Sequence, residues 1–158
     1  MRCLLLVIMF VSLFVPVAGA GPAEQCAHVG NDDTIHPYDA SFRAGLLRAY
    51  AQLFPQARMP PDDQAFQAGA HIRCMDGRLL ACFTGANLPC EKMNVGRDNK
   101  GADAFCRTNP ETAFVPAFAT GHDSAYAYRC AAGHAVVAGE TFPLDRRGFA
   151  ASLWAPID

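Results

Sequence analysis

Seven cysteines are spread over 158 residues, and their placement constrains the fold more than any other feature. Cys3 lies in a stretch with the three zones of an export leader. Arg2 gives the positive start, Leu4 to Val17 the apolar run, and Ala18-Gly19-Ala20 a small-residue cleavage site. The apolar run is shorter than the roughly 20 residues a membrane-spanning helix needs. Residues 1–20 are therefore expected to be a signal peptide, and the mature chain, with no membrane span, to begin at Gly21. Six cysteines then remain: Cys26, Cys74, Cys82, Cys90, Cys106 and Cys130. An even number in an exported chain is expected to pair as disulfides, which persist outside the cytosol. The 74–82–90 spacing lacks the Cys-x-x-Cys knuckles of a structural zinc site, so neither metal nor cofactor is expected. Spacing does not choose the pairs. A local Cys90–Cys106 staple is one expectation, with Cys82 the rival partner for either.

Charge excludes one class of partner. Losing Arg2 with the leader leaves 12 Lys and Arg against 15 Asp and Glu, with no basic stripe, so nucleic-acid binding is disfavoured. At 51% apolar residues the chain has enough to build one real core.

The stretch from His71 to Cys90 organises the rest. Asp76-Gly77 is a strong two-residue hairpin signal, which predicts a β-hairpin over Ala68 to Thr84. In that register Ala70, Ile72, Cys74, Leu79, Ala81 and Phe83 share one face, and His71, Arg73, Met75, Leu80 and Cys82 take the other. Cys74 and Cys82 then point to opposite sides and should not bridge. Gly85 to Cys90 reads as a turn closed by a disulfide. A shortened copy of the opening recurs as Arg129-Cys130-Ala131-Ala132-Gly133, which predicts a second hairpin from Tyr126 to Ala138.

Around these hairpins, residues 21–38 read as an irregular N-terminal arm, with Asn31-Asp32-Asp33 and His36-Pro37 as turn signals. Residues 39–54 are the clearest helix, with Asp39 or Ser41 as cap and Phe42, Leu46, Ala49, Tyr50 and Leu53 on one apolar face. Gly45 costs this helix about 1 kcal/mol against alanine, so packing must hold it. A turn of helix is expected through Phe66, and a short helix over Gly101–Thr108. Thr112 to Thr120, broken by Pro116, suits an edge strand or extended crossover. Phe142 and Leu144 suggest a further strand, and Phe149, Leu153 and Trp154 a last segment closing over the core. The expected class is α+β: a small antiparallel sheet of at least two hairpins with one packed N-terminal helix, in a single disulfide-stabilised domain over 39–158.

Reactive chemistry is sparse. His122-Asp123-Ser124 holds the residue types of a hydrolytic triad, but neighbours in sequence cannot converge as one. No nucleophile elbow, His-Glu-x-x-His, P-loop or dinucleotide fingerprint occurs. Candidate binding residues are Asn87 in the cysteine-closed loop, His122 and Asp123 in their turn, and Arg129 beside Cys130.

Several motifs together resemble an uncharacterised family of small exported proteins of Gram-negative bacteria. They are Arg-Cys-Met-Asp-Gly at 73–77, Gly-Ala-Asn-Leu-Pro-Cys at 85–90, Phe-Cys-Arg-x-Asn-Pro at 105–110, Pro-Ala-Phe-Ala-Thr-Gly-His-Asp at 116–123, Tyr-Arg-Cys at 128–130 and Asp-x-Arg-Gly-Phe at 145–149. The resemblance implies a periplasmic or secreted protein with paired cysteines, and supplies no catalytic residue. Tyr128 to Gly133 is also similar to the aromatic-x-Cys-x-x-Gly opening of the c-type lysozyme inhibitors, over His122 to Ala138 only. The functional expectation is a non-enzymatic exported binding module with a protein or cell-envelope partner. A cell-wall hydrolase inhibitor is one specific version, and a small hydrolase or metal-binding protein using His122 and Asp123 the alternative.

Overall fold

The computed structural model describes residues 21–157, so the expected leader at residues 1–20 lies outside the described residues. The chain is α+β. Strand β2 (Ala70–Met75) turns at Asp76-Gly77 into β3 (Arg78–Phe83), with Cys74 opposite Leu79 and Ile72 opposite Ala81, as the turn predicts. Asp76 and Gly77 have φ of 54° and 75°, the left-handed pair that a tight primed hairpin turn requires. Strand β1 (Asp32–Pro37) pairs with β2 and the two-residue β6 (Ala155–Pro156) with β3, giving an antiparallel sheet in the order β1-β2-β3-β6.

The two faces of the hairpin bury different things. On the first, Ala70, Ile72, Leu79, Ala81 and Phe83 pack with Leu46, Ala49 and Phe66. Leu46 and Ala49 come from helix α2 (Arg43–Leu53), which follows a 3₁₀ turn at Ala40–Phe42 capped by Asp39. Phe66 comes from α3 (Asp63–Gly69), whose cap is Asp62. Gly45 has a packing reason: a Cβ there would lie 2.3 Å from the Ile157 carbonyl oxygen, so only glycine lets the last residues cross α2. The Arg48 guanidinium donates to that same oxygen at 2.9 Å.

On the other face, Cys82 and Leu80 meet Phe149 and Trp154. Arg73 sits there 1% exposed, its guanidinium carbon 4.0 Å from the Phe149 ring centre and 4.6 Å from that of Trp154. Burial pulls its pKa down and the ion pair with Asp145 opposes this. Asp145 also accepts from the backbone of Arg147 and Phe149, which shapes the turn that delivers Phe149. Arg147 grips Asp33 through two 2.8 Å bonds and Lys92 adds a third at 2.7 Å. Those donors, Arg147 first, lower the Asp33 carboxyl to about 2.

The second hairpin forms its own two-stranded sheet, β4 (Tyr126–Ala131) and β5 (His134–Glu140), rather than joining the first. Its turn repeats the first in backbone, with φ of 49° at Ala132 and 79° at Gly133. The extended crossover expected near Thr112 runs along β4: Val115 N–H donates to the Tyr128 carbonyl at 2.8 Å, and Cys130 N–H to that of Thr112 at 2.7 Å. It ends in a short helix, α5 (Ala117–Thr120). Helix α4 (Lys100–Thr108), capped by Asn99, packs Ala102 and Cys106 against Tyr128 and Cys130.

Four expectations need correction. Residues 21–38 are not an irregular arm: Pro22 opens helix α1 (Pro22–Val29), and β1 follows. Helix α1 is held by the Cys26–Cys74 disulfide, and β1 satisfies the outer backbone groups of β2. The local staple is not Cys90–Cys106 but, for Cys90, the rival link to Cys82. Cys82 pairs with Cys90 and Cys106 with Cys130, because Cys82 faces the returning loop while α4 turns Cys106 onto β4. The apolar residues form several separate clusters rather than one core. The strand at Phe142 and Leu144 reduces to one bridge, Leu144 with Ala150. As the register required, Cys74 and Cys82 do not bridge each other. No helix among the described residues is long and apolar enough to cross a membrane.

Candidate binding cleft

Loop 84–91 leaves β3 and is drawn back over the sheet by the Cys82–Cys90 disulfide. Within it Gly85 and Leu88 exchange backbone hydrogen bonds of 3.4 and 3.2 Å, a closed turn that presents Asn87 to solvent. Turn 121–124 comes from the other half of the molecule. Gly121 ends α5 at φ 90°, a value open to glycine. Asn94 anchors the turn from there to Ala125: its N–H donates to the Asp123 carbonyl at 2.8 Å, and Ala125 N–H donates to the Asn94 carbonyl at 2.9 Å.

Two open clefts meet where loop and turn approach each other. One, of about 660 Å³, is lined by His71, Glu91, His122 and Asp123 with Ile35 and Leu88. The other, of about 570 Å³, is lined by Phe114, Phe118, Tyr126 and Phe142 with Asn87. His122 lines both. Both volumes fall in the range of small-ligand sites, about 300–1,000 Å³. Half-buried His71 has its pKa pushed down by burial, against the pull of Glu91, which favours the neutral ring. A neutral imidazole offers one donor and one acceptor, and a carboxylate only acceptors. The polar cleft therefore suits a ligand that both donates and accepts. Among the described residues no three His, Cys, Asp or Glu side chains are placed to hold a metal ion.

Of the residues singled out from sequence, Asn87, His122 and Asp123 come together at these clefts. Arg129 does not. It lies exposed on β4, on the side opposite Tyr128 and Cys130, paired in register with Val136. His71 and Glu91 were not singled out. The register already placed His71 directly opposite Cys82, so the Cys82–Cys90 pairing is the signal that would have brought loop 84–91 over it.

The cysteine pairs, sheet and clefts define a disulfide-stapled α+β protein with a preformed recess between its two halves. Comparison with known proteins adds no relative: no family model, curated protein or solved structure matches the chain.

Proposed function

We propose that this chain is an exported, non-enzymatic binding module whose partner, a protein or other envelope component, engages the recess between loop 84–91 and turn 121–124. The observation that carries the reading is the convergence of His71, Glu91, His122 and Asp123 on one cleft, with aromatic side chains in the next. A few polar groups beside an apolar wall is the usual composition of a recognition site. Three disulfides support an oxidising compartment.

Site-specific photo-cross-linking in the exporting cell tests it. A cross-linker at Asn87 or Asp123 should give a discrete adduct, and one at Arg129 on the far side should not. Equal labelling from all three positions, or none from any, would refute the reading. A small hydrolase is the second reading, favoured by the presence of two imidazoles and two carboxylates along one cleft. Turnover that is lost in both His71→Ala and His122→Ala would replace the first reading with this one.

A further inference from the structure

The two clefts of the recess differ in charge, which the binding reading alone does not use. Glu91 and Asp123 are both exposed along the polar cleft, and no Lys or Arg lines it. Among the described residues neither carboxylate takes part in an ion pair, whereas Asp33, Asp63, Asp76 and Asp145 are each held by a cation. Lys92, next in sequence to Glu91, is already bonded to Asp33 at 2.7 Å. Burial favours the neutral form of His71, so that ring does not offset the two carboxylates. The aromatic cleft has the opposite bias. Phe118 is 80% exposed and Phe114 62%, and Arg97 lies over the Tyr126 ring with its guanidinium carbon 4.7 Å from the ring centre. One end of the recess is therefore acidic, and the other is apolar with a cation already on one wall.

Resting on that reading, we propose that the partner is a protein whose docking segment sets a basic side chain in the polar cleft and a large apolar one, close by in sequence, in the aromatic cleft. Charge complementarity selects the basic group, because an acidic one would meet two uncompensated carboxylates. The order along the recess is fixed by the same charges. A cation in the aromatic cleft would meet Arg97, and an apolar group in the polar cleft would strip water from carboxylates with nothing to replace it. A polypeptide suits the site because its amides supply the donor and the acceptor that a neutral imidazole uses. Residues i and i+2 of an extended segment point the same way, so a basic-x-aromatic sequence presents both side chains to one surface.

Titration of the disulfide-intact protein with capped tripeptides, followed by amide chemical shifts, tests the proposal. Acetyl-Lys-Ala-Phe-amide should shift the amides of loop 84–91 and turn 121–124. Exchanging its Lys for Gln, or its Phe for Ala, should weaken binding by roughly tenfold, and exchanging Lys for Glu by more. In the double variant Glu91→Gln, Asp123→Asn the Lys peptide should bind no better than the Gln peptide. Glu24→Gln, which removes an exposed carboxylate on α1, should keep the full preference. Equal affinity for the Lys, Gln and Glu peptides, tighter binding of the Glu peptide, or no shift with any of them overturns the proposal. So does a preference for Lys that survives in the double variant. A cellular cross-link from Asn87 and Asp123 beside such a result would keep the recess as a binding site for a partner of other chemistry, whereas its absence would remove the binding reading itself.

Discussion

Arg73 occupies a core position with a charge. Its guanidinium is flanked by Phe149 and Trp154 and ion-paired with Asp145, and it donates to the Met75 sulfur at 3.3 Å, while its buried Nε has no hydrogen-bond partner among the described residues. Removing one partner of a buried pair leaves the other uncompensated, at a cost of about 3–5 kcal/mol. Arg73→Ala should therefore lower unfolding stability by about that much, measured by urea denaturation with disulfides intact. A loss below about 1 kcal/mol would place this pair with solvated surface ion pairs. The sequence put Arg73 on the correct face of the hairpin, with Leu80 and Cys82. It could not show the burial, because Asp145 lies 72 residues away. The same limit applies to His71: its strand and face were legible, but spacing could not choose between Cys82 and Cys106 as the partner that brings Cys90 back to the cross-strand neighbour of His71.

At the scale of elements, legibility followed the strength of local signals. Asp76-Gly77 set the register of the first hairpin, although Ala68 and Gly69 belong to α3 rather than to its first strand, and Arg-Cys-x-x-Gly marked a second with the same turn. The helix expected over 39–54 was legible from its apolar spacing, but Asp39 caps the 3₁₀ turn at Ala40–Phe42 and the α-helix itself runs Arg43–Leu53. Helix α1 and strand β1 were not. Eight residues are too short to carry a periodic pattern, and Asp32–Pro37 lacks strand alternation, so neighbours rather than propensity hold both. Gly45 separates these two kinds of cause. By propensity Gly45→Ala should stabilise α2 by about 1 kcal/mol. The Ile157 backbone blocks the new methyl group, so the substitution should instead cost about 1–3 kcal/mol by displacing the chain around β6. Chemical denaturation of the single variant decides, and a gain in stability would contradict the packing described at α2.

Across the whole molecule, apolar burial is divided, and each of three clusters carries one disulfide. Cys26–Cys74 belongs to the cluster under α2, Cys106–Cys130 to the one beneath α4, and Cys82–Cys90 to the one around Phe149 and Trp154. Small separate clusters bury less surface than a single core, and covalent closure offsets part of that deficit. On the chain-entropy model the pair 48 residues apart contributes about 4 kcal/mol and the pair 8 apart about 2.5. The short link has the larger consequence for binding, since it sets loop 84–91 over His71 and closes one wall of the recess.

The pairing is therefore the point at which fold and site stand together. Non-reducing peptide mapping of the exported protein tests it most directly. The predicted result is three linked peptides, Cys26 with Cys74, Cys82 with Cys90 and Cys106 with Cys130, and no free thiol among the six. A Cys90–Cys106 link, or free thiols at Cys82 and Cys90, would contradict the account: loop 84–91 would then not be held over the sheet, and the recess would lose a wall.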